Sequence, residues 1–179
     1  MDLQPKAVLE PRAHDSPFDY DTFFRAHYAR IARLIARLID DPARAEELAV
    51  EAMWKLWRNP KAHGESAGGW VYRTALRLGL NELRSTVRRM RHESLAGPPP
   101  SSPSPEEAHA STQERQQVRH VLAALDQRQA GLLLLRSSGL SYEELATALE
   151  INPASVGTFL SRAQQAFRKE YIKRYGPQR

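Results

Sequence analysis

Six arginines fall within nineteen residues, at positions 73, 77, 84, 88, 89 and 91, with one carboxylate, Glu82, among them. On a helix turning about 100° per residue, Arg73, Arg77, Arg84, Arg88 and Arg91 share a stripe roughly 60° wide, and Trp70 falls inside it. A solvated basic face is ordinarily laced with acidic partners. A single carboxylate cannot neutralise this one, so contact with phosphates is the better account of the stripe. The Trp70 indole could stack on an unstacked base or simply pack against a neighbouring helix.

A second group lies near the C-terminus. Ser155, Thr158, Ser161, Arg162, Gln165, Arg168 and Lys169 occupy the outward positions of a helix whose inner face is Val156, Leu160, Ala163 and Phe167. Serine, threonine and glutamine can reach base edges, while the arginines and lysine suit phosphates. A third group is acidic: Glu46, Glu47 and Glu51, beside Lys55 and Arg58. It reads either as a solvated helix face or as a protein-binding one.

Catalysis has no visible constellation. The six histidines are scattered without metal-ligand spacing, and there is no phosphate-cradling glycine loop. The absence of cysteine excludes disulfides, thiolate zinc sites and a thiol switch within these 179 residues. No enzyme activity, cofactor or metal is expected.

The elements that must hold these groups are all helical. Phe18 to Ile39 carries apolar residues at helical spacing behind Asp19 or Asp21 as caps. Asp41 and Pro42 open a second helix with an inner face of Ala45, Leu48, Ala49, Ala52, Met53 and Leu56. After a loop over 59–68, a third helix runs from about Gly69 to Arg91, its apolar face some 200° wide. Val118, Leu122 and Leu125 mark a further helix, and Ala130 to Leu135 another. Ser141 and Glu144 form a capping box for the next. The three residues Glu150, Ile151 and Asn152 then turn the chain, and Pro153 opens a last helix to about Tyr171. Two short helices joined so tightly, the second with a polar outer face, are the helix-turn-helix arrangement.

The predicted architecture is therefore all-α, two small helical domains joined by a flexible linker, with a C-terminal helix-turn-helix. Its parts are a loose tail over 1–17, a first lobe over 18–93, a linker over 94–112 and a second lobe over 113–179. The linker, SLAGPPPSSPSPEEAHAST, is rich in proline and serine and poor in apolar anchors. The net charge of +5 is carried by the lobes, with 14 Lys/Arg against 10 Asp/Glu in 18–93 and 10 against 6 in 113–179. No run is long and apolar enough to span a bilayer, and no secretory signal is visible, so a cytoplasmic location without membrane contact is expected.

The order of these features resembles the small sigma factors of the extracytoplasmic-function group. AEELAVEAMWKLWRN (Ala45 to Asn59) is similar to the family's second conserved region, which grips core RNA polymerase; the resemblance implies that Glu46, Glu47, Glu51, Lys55 and Trp57 face the polymerase. GGWVYRTALRLGLNELRS (Gly68 to Ser85) resembles the part that captures and melts the "minus ten" promoter element. That implies DNA contact by Trp70, Arg73, Arg77, Asn81, Arg84, Arg88 and Arg91. Leu125 to Glu170 is similar to the fourth conserved region, which reads the "minus thirty-five" element through the outward residues of the last helix. The implied partners are core RNA polymerase, promoter DNA and an anti-sigma factor. The last helix departs from the family pattern: Gly157 and Phe159 stand where cationic residues are frequent, and Glu150 stands where a turn glycine is common. The alternatives are a decoy that sequesters an anti-sigma protein and a helix-turn-helix regulator acting without polymerase.

Overall fold

A computed structural model describes residues 18–96 and 106–177, with side chains over 18–93 and 112–177. The expected tail over 1–17 lies outside the described residues. Among the described residues seven α-helices are formed: α1 Tyr20–Ala36, α2 Pro42–Trp57, α3 Ala67–Ala96, α4 Glu106–Ala124, α5 Gln127–Ser137, α6 Tyr142–Leu149 and α7 Val156–Tyr175. Short 3-10 turns at Pro60–Ala62 and Pro153–Ser155 precede α3 and α7.

Local chemistry accounts for most of the starts. The Asp19, Asp41 and Asp126 carboxylates each accept an amide proton three residues on, from Thr22, Arg44 and Gln129 at 3.1, 3.1 and 2.8 Å. Each thereby satisfies a donor that the first helical turn would leave unpaired. The capping box at α6 is complete: the Glu144 amide donates to Ser141 Oγ at 3.2 Å and the Ser141 amide to Glu144 Oε2 at 2.7 Å. Asn152 caps the turn at Pro153 rather than α7 itself, its Oδ1 accepting from the Ala154 amide.

Two helices run longer than their apolar periodicity indicates. α3 extends to Ala96, two residues short of Pro98, where the proline ring disfavours helix in the residue before it. α7 continues to Tyr175 because its final turns have partners. Tyr171 Oη donates to Gln117 Oε1 at 2.7 Å, Tyr175 Oη meets His120 Nδ1 at 3.1 Å, and Arg174 pairs with Glu170 at 2.7 Å. Helix also enters both ends of the proline-rich segment, covering 94–96 and 106–112. Residues 97–105 lie outside the described ones.

α1, α2 and α3 pack around Ile31, Leu34, Ile35, Leu38, Met53 and Leu56, all essentially without solvent exposure. In the second lobe, Leu132, Leu135, Leu140 and Leu145 are equally enclosed. Each such side chain contributes about 1.5–3 kcal/mol on burial. Apart from Leu132, which belongs to a small cluster with Leu160 and Ala163, the two groups are not separate cores. One contiguous cluster runs from Ile31 through Leu76 and Leu80 to Leu145 and Val156. The apolar face of α3 explains the continuity: α1 and α2 cover only part of it, and α5 and α6 cover the rest.

Candidate nucleic-acid interface

The stripe on α3 forms with the expected register but not with uniform exposure. Arg77, Asn81, Arg88 and Arg91 are exposed, while Trp70, Arg73 and Arg84 are half-buried. Trp70 packs against the hydrophobic core. Arg84 reaches across to the second lobe, where Nε donates to the Ala123 carbonyl at 3.2 Å and Nη2 to the Leu125 carbonyl at 3.0 Å. Arg73 forms an ion pair with Glu150, in the turn before α7. Glu82, the stripe's lone carboxylate, faces away and binds Arg44 of α2 at 3.1 Å. Glu82 is thus engaged away from the stripe, while Arg73 and Arg84 have acceptors from the other lobe.

Along α7, Thr158, Ser161, Arg162, Gln165, Arg168 and Lys169 are exposed, whereas Ser155, expected on the same helix, is half-exposed in the 3-10 turn before it. They form one polar surface. The two departures have physical consequences. Phe159 turns inward against the small cluster of Leu132, Leu160 and Ala163, with the Arg128 guanidinium 5.9 Å from its ring. A Cβ on Gly157 would lie 3.8 Å from the Tyr142 ring, an ordinary contact, so the glycine is not enforced by crowding. Glu150 adopts φ 54, the left-handed region that favours glycine.

The acidic face of α2 is present but already partly paired. Glu47 binds Arg44 at 2.9 Å and Glu51 binds Lys55 at 3.3 Å, whereas Glu46 is exposed without an ion-pair partner among the described residues. Beside them Trp57 is 56% exposed, Trp54 50% and Val50 49%, so the outer face of α2 carries an apolar strip as well as charge. Trp54 and Val50 were missed in the sequence reading, although positions 50, 54 and 57 repeat at i, i+4 and i+7 opposite the core-facing set. Three large apolar groups in line give α2 an exposed apolar strip, and large exposed patches are commonly where proteins bind one another. The second lobe carries another, a groove of about 530 Å³ lined by Val118, Leu122, Leu133, Leu134, Leu160 and Phe167 among others.

Among the described residues no group of histidines and carboxylates is placed to hold a metal, and no helix is long and apolar enough to cross a membrane.

Comparison with known proteins bears on both halves. Residues 23–89 match the family described as Sigma-70 region 2, and residues 115–166 match Sigma-70, region 4. The ECF RNA polymerase sigma factor SigK of Mycolicibacterium vanbaalenii is 24% identical over 170 residues, covering 91% of this chain and 87% of that protein. The RNA polymerase sigma-H factor of Pseudomonas aeruginosa is 28% identical, with 84% of each chain covered. The match to the ECF RNA polymerase sigma factor SigE of Mycolicibacterium smegmatis, 26% identical, takes in 87% of this chain but only 62% of that protein. Among solved structures, the sigma factor RpoE in complex with the anti-sigma factor NepR from Bartonella quintana aligns over 86% of this chain and 97% of that one. The TM-score is 0.48 and the identity 17%.

Proposed function

The chain belongs to the sigma-70 family, in its extracytoplasmic-function group, and directs promoter recognition and transcription initiation; on that premise we propose how its surfaces divide the work. It is not an enzyme in its own right. The exposed face of α2, with Val50, Trp54 and Trp57 beside Glu46, Glu47, Glu51 and Lys55, binds core RNA polymerase. The groove between α4, α5 and α7 adds a second attachment, so that both lobes are held at a fixed spacing on the enzyme. α3 takes the opened "minus ten" strand, with Arg73, Arg77, Arg84, Arg88 and Arg91 on phosphates, Asn81 offering amide donor and acceptor, and Trp70 edging the path. α7 positions the complex on the duplex further upstream through Ser155, Thr158, Ser161, Arg162, Gln165, Arg168 and Lys169.

The observation that carries this division is the stripe: guanidinium groups gathered on one edge of the longest helix, while its Glu82 turns to Arg44 of α2 instead. Strand binding of this kind supplies the free energy for melting, because only the unstacked strand fits the charged track. The chain would work in the cytoplasm, where polymerase and promoters are. An anti-sigma protein would act by covering the apolar strip on α2 or holding the two lobes together.

Neither alternative is favoured, since a decoy has no use for the stripe and a polymerase-independent regulator none for the α2 strip. Run-off transcription with purified core polymerase on genomic fragments separates all three. Specific transcripts that require this chain are expected. No transcript together with no binding to core would overturn the proposal.

A further inference from the structure

α1 is fastened at both ends, by different partners. At its C-terminal end Arg119 of α4 donates to the carbonyls of Arg37 and Ile39 at 3.1 Å each. At its N-terminal end Phe18, immediately before the Asp19 cap, stacks on the His63 imidazole, with ring centroids 4.4 Å apart and planes 18° from parallel. His63 belongs to the loop between α2 and α3, and its Nε2 lies 2.9 Å from the Leu56 carbonyl in the last turn of α2. A carbonyl can only accept, so Nε2 carries the proton and donates it. The aromatic column continues along α1: Phe18 meets Phe23 at 5.3 Å, and Phe23 stacks on His27 at 4.2 Å.

The rest of the loop is bare. Between 59 and 66 only Ala62 is buried, while Pro60, Lys61, Gly64, Glu65 and Ser66 are exposed. Its backbone bonds are local turns, from the Ala62 amide to the Asn59 carbonyl at 2.9 Å and from the Ala67 amide to the Gly64 carbonyl at 3.1 Å. The His63 ring, with buried Ala62, is what ties the loop to α1 and α2. Two functions meet at the loop's ends. Trp57, on the polymerase-facing side of α2, comes just before it, and α3 begins just after it. The Trp70 amide donates to the Ser66 carbonyl at 2.9 Å, so the first turn of α3 grows directly out of the loop. A Cβ on Gly68 would lie 3.8 Å from His27 Cε1, an ordinary contact, so the aromatic column that holds His63 also flanks the start of α3.

From this arrangement we infer that Phe18 and His63 are positioning residues for strand capture: they lock the loop over 59–66, and through it the angle at which α3 presents Trp70 and Arg73 once α2 is seated on polymerase. The inference deepens the division of work proposed above and rests on α3 being the strand-binding helix. Neither side chain needs to touch DNA. Phe18 also lies outside the matched family region, which starts at residue 23. A chain whose loop is in place for only part of the time binds the strand more weakly by that fraction, so a share of about one fifth costs a factor of about five.

The test uses the full-length chain reconstituted with core polymerase, a labelled single-stranded "minus ten" oligonucleotide read by fluorescence anisotropy, a core-binding titration, and circular dichroism for helix content. Phe18→Ala removes the stack, His63→Ala removes the stack and the bond to Leu56, and Phe18→Tyr keeps the stack. The expected result is strand affinity lowered about fivefold in both alanine variants and restored in Phe18→Tyr, with core affinity and helix content unchanged. Positioning also requires non-additivity. In a Trp70→Ala background, where a positioned group is already gone, each alanine variant should cost much less than it does alone, whereas a merely structural role would leave the losses multiplying. Unchanged strand affinity in both alanine variants, full multiplication with Trp70→Ala, or an equal loss of core affinity would overturn the inference. If His63→Ala loses helix content, Phe18→Ala against Phe18→Tyr, with the Trp70→Ala cycle, decides. Failure of the underlying reading is seen separately, as strand binding indifferent to both Arg77→Ala and Trp70→Ala.

Discussion

Replacing both Arg77 and Arg88 with alanine should weaken promoter opening in a salt-dependent way while leaving the fold untouched. Both side chains are exposed and neither has an ion-pair partner among the described residues, so the change removes two positive charges and little else. Each phosphate neutralised on a single strand contributes about 0.7 to the slope of log affinity against log salt, and two contribute roughly 1.4. Between about 50 and about 200 mM salt the parent's advantage should therefore shrink by roughly sevenfold. Arg84→Ala makes the informative contrast. Losing its two hydrogen bonds leaves half-buried carbonyls at 123 and 125 unpaired, which costs about 1–3 kcal/mol of stability and shows as a lowered melting temperature. Anisotropy with a forked "minus ten" probe and reconstituted holoenzyme, over a salt series, gives the slope directly. An unchanged slope in the double variant, or a matching loss in core binding, would refute the role given to the stripe.

Trp54→Ala and Trp57→Ala should each reduce affinity for core polymerase by about tenfold or more, as truncating a central aromatic anchor commonly does, without lowering the melting temperature of these half-exposed residues. Equal affinity in a pull-down titration would remove α2 from the contact. Ser141→Ala breaks the capping box and should cost about 1 kcal/mol by urea denaturation; no change would mean the cap is dispensable. Stability should also fall in mild acid. Burial holds the His27 imidazole below its ordinary value of 6.5, the Arg30 charge adding to the effect and Glu144 opposing it, and its Nδ1 is buried without a protein hydrogen-bond partner. His120 is lowered by burial and by Arg174. A histidine with a depressed folded value binds protons more readily when unfolded, so its contribution is full at neutral pH and is lost as the pH falls below about 6.5. The urea midpoint should drop between about pH 7 and pH 5, and His27→Phe, which preserves stacking on Phe23, should flatten part of that drop. A midpoint that rises on acidification would contradict the sign.

What was legible in the sequence is what short-range chemistry determines. Asp41, Ser141 with Glu144, and Asn152 cap within four residues of themselves, and the arginine stripe follows from the pitch of one helix. The pairing of Arg73 with Glu150 joins residues on different lobes, and no periodicity connects them. Arg84 was equally opaque, because its acceptors are backbone carbonyls that every residue carries. Composition read 94–112 as a linker and so suggested independent lobes. The contrary signal was available in the width of the α3 apolar face, which exceeds what two neighbouring helices can cover, and in Gly69 and Gly131, which weaken their helices unless something approaches closely.

The Arg119 guanidinium holds the Ala36 carbonyl at the end of α1 and the Arg37 and Ile39 carbonyls in the turn after it, an end that the first lobe does not finish by itself. The lobes are consequently not interchangeable modules on a string. Heat should dissolve both in one cooperative calorimetric transition, and a fragment severed after residue 96 would inherit a frayed α1 and a bare strip of leucines on α3. Grafting this helix-turn-helix onto another relative's first lobe would meet the same obstacle, since the graft would also need Arg119 from α4 and the recipient a glycine where Gly69 meets Thr147.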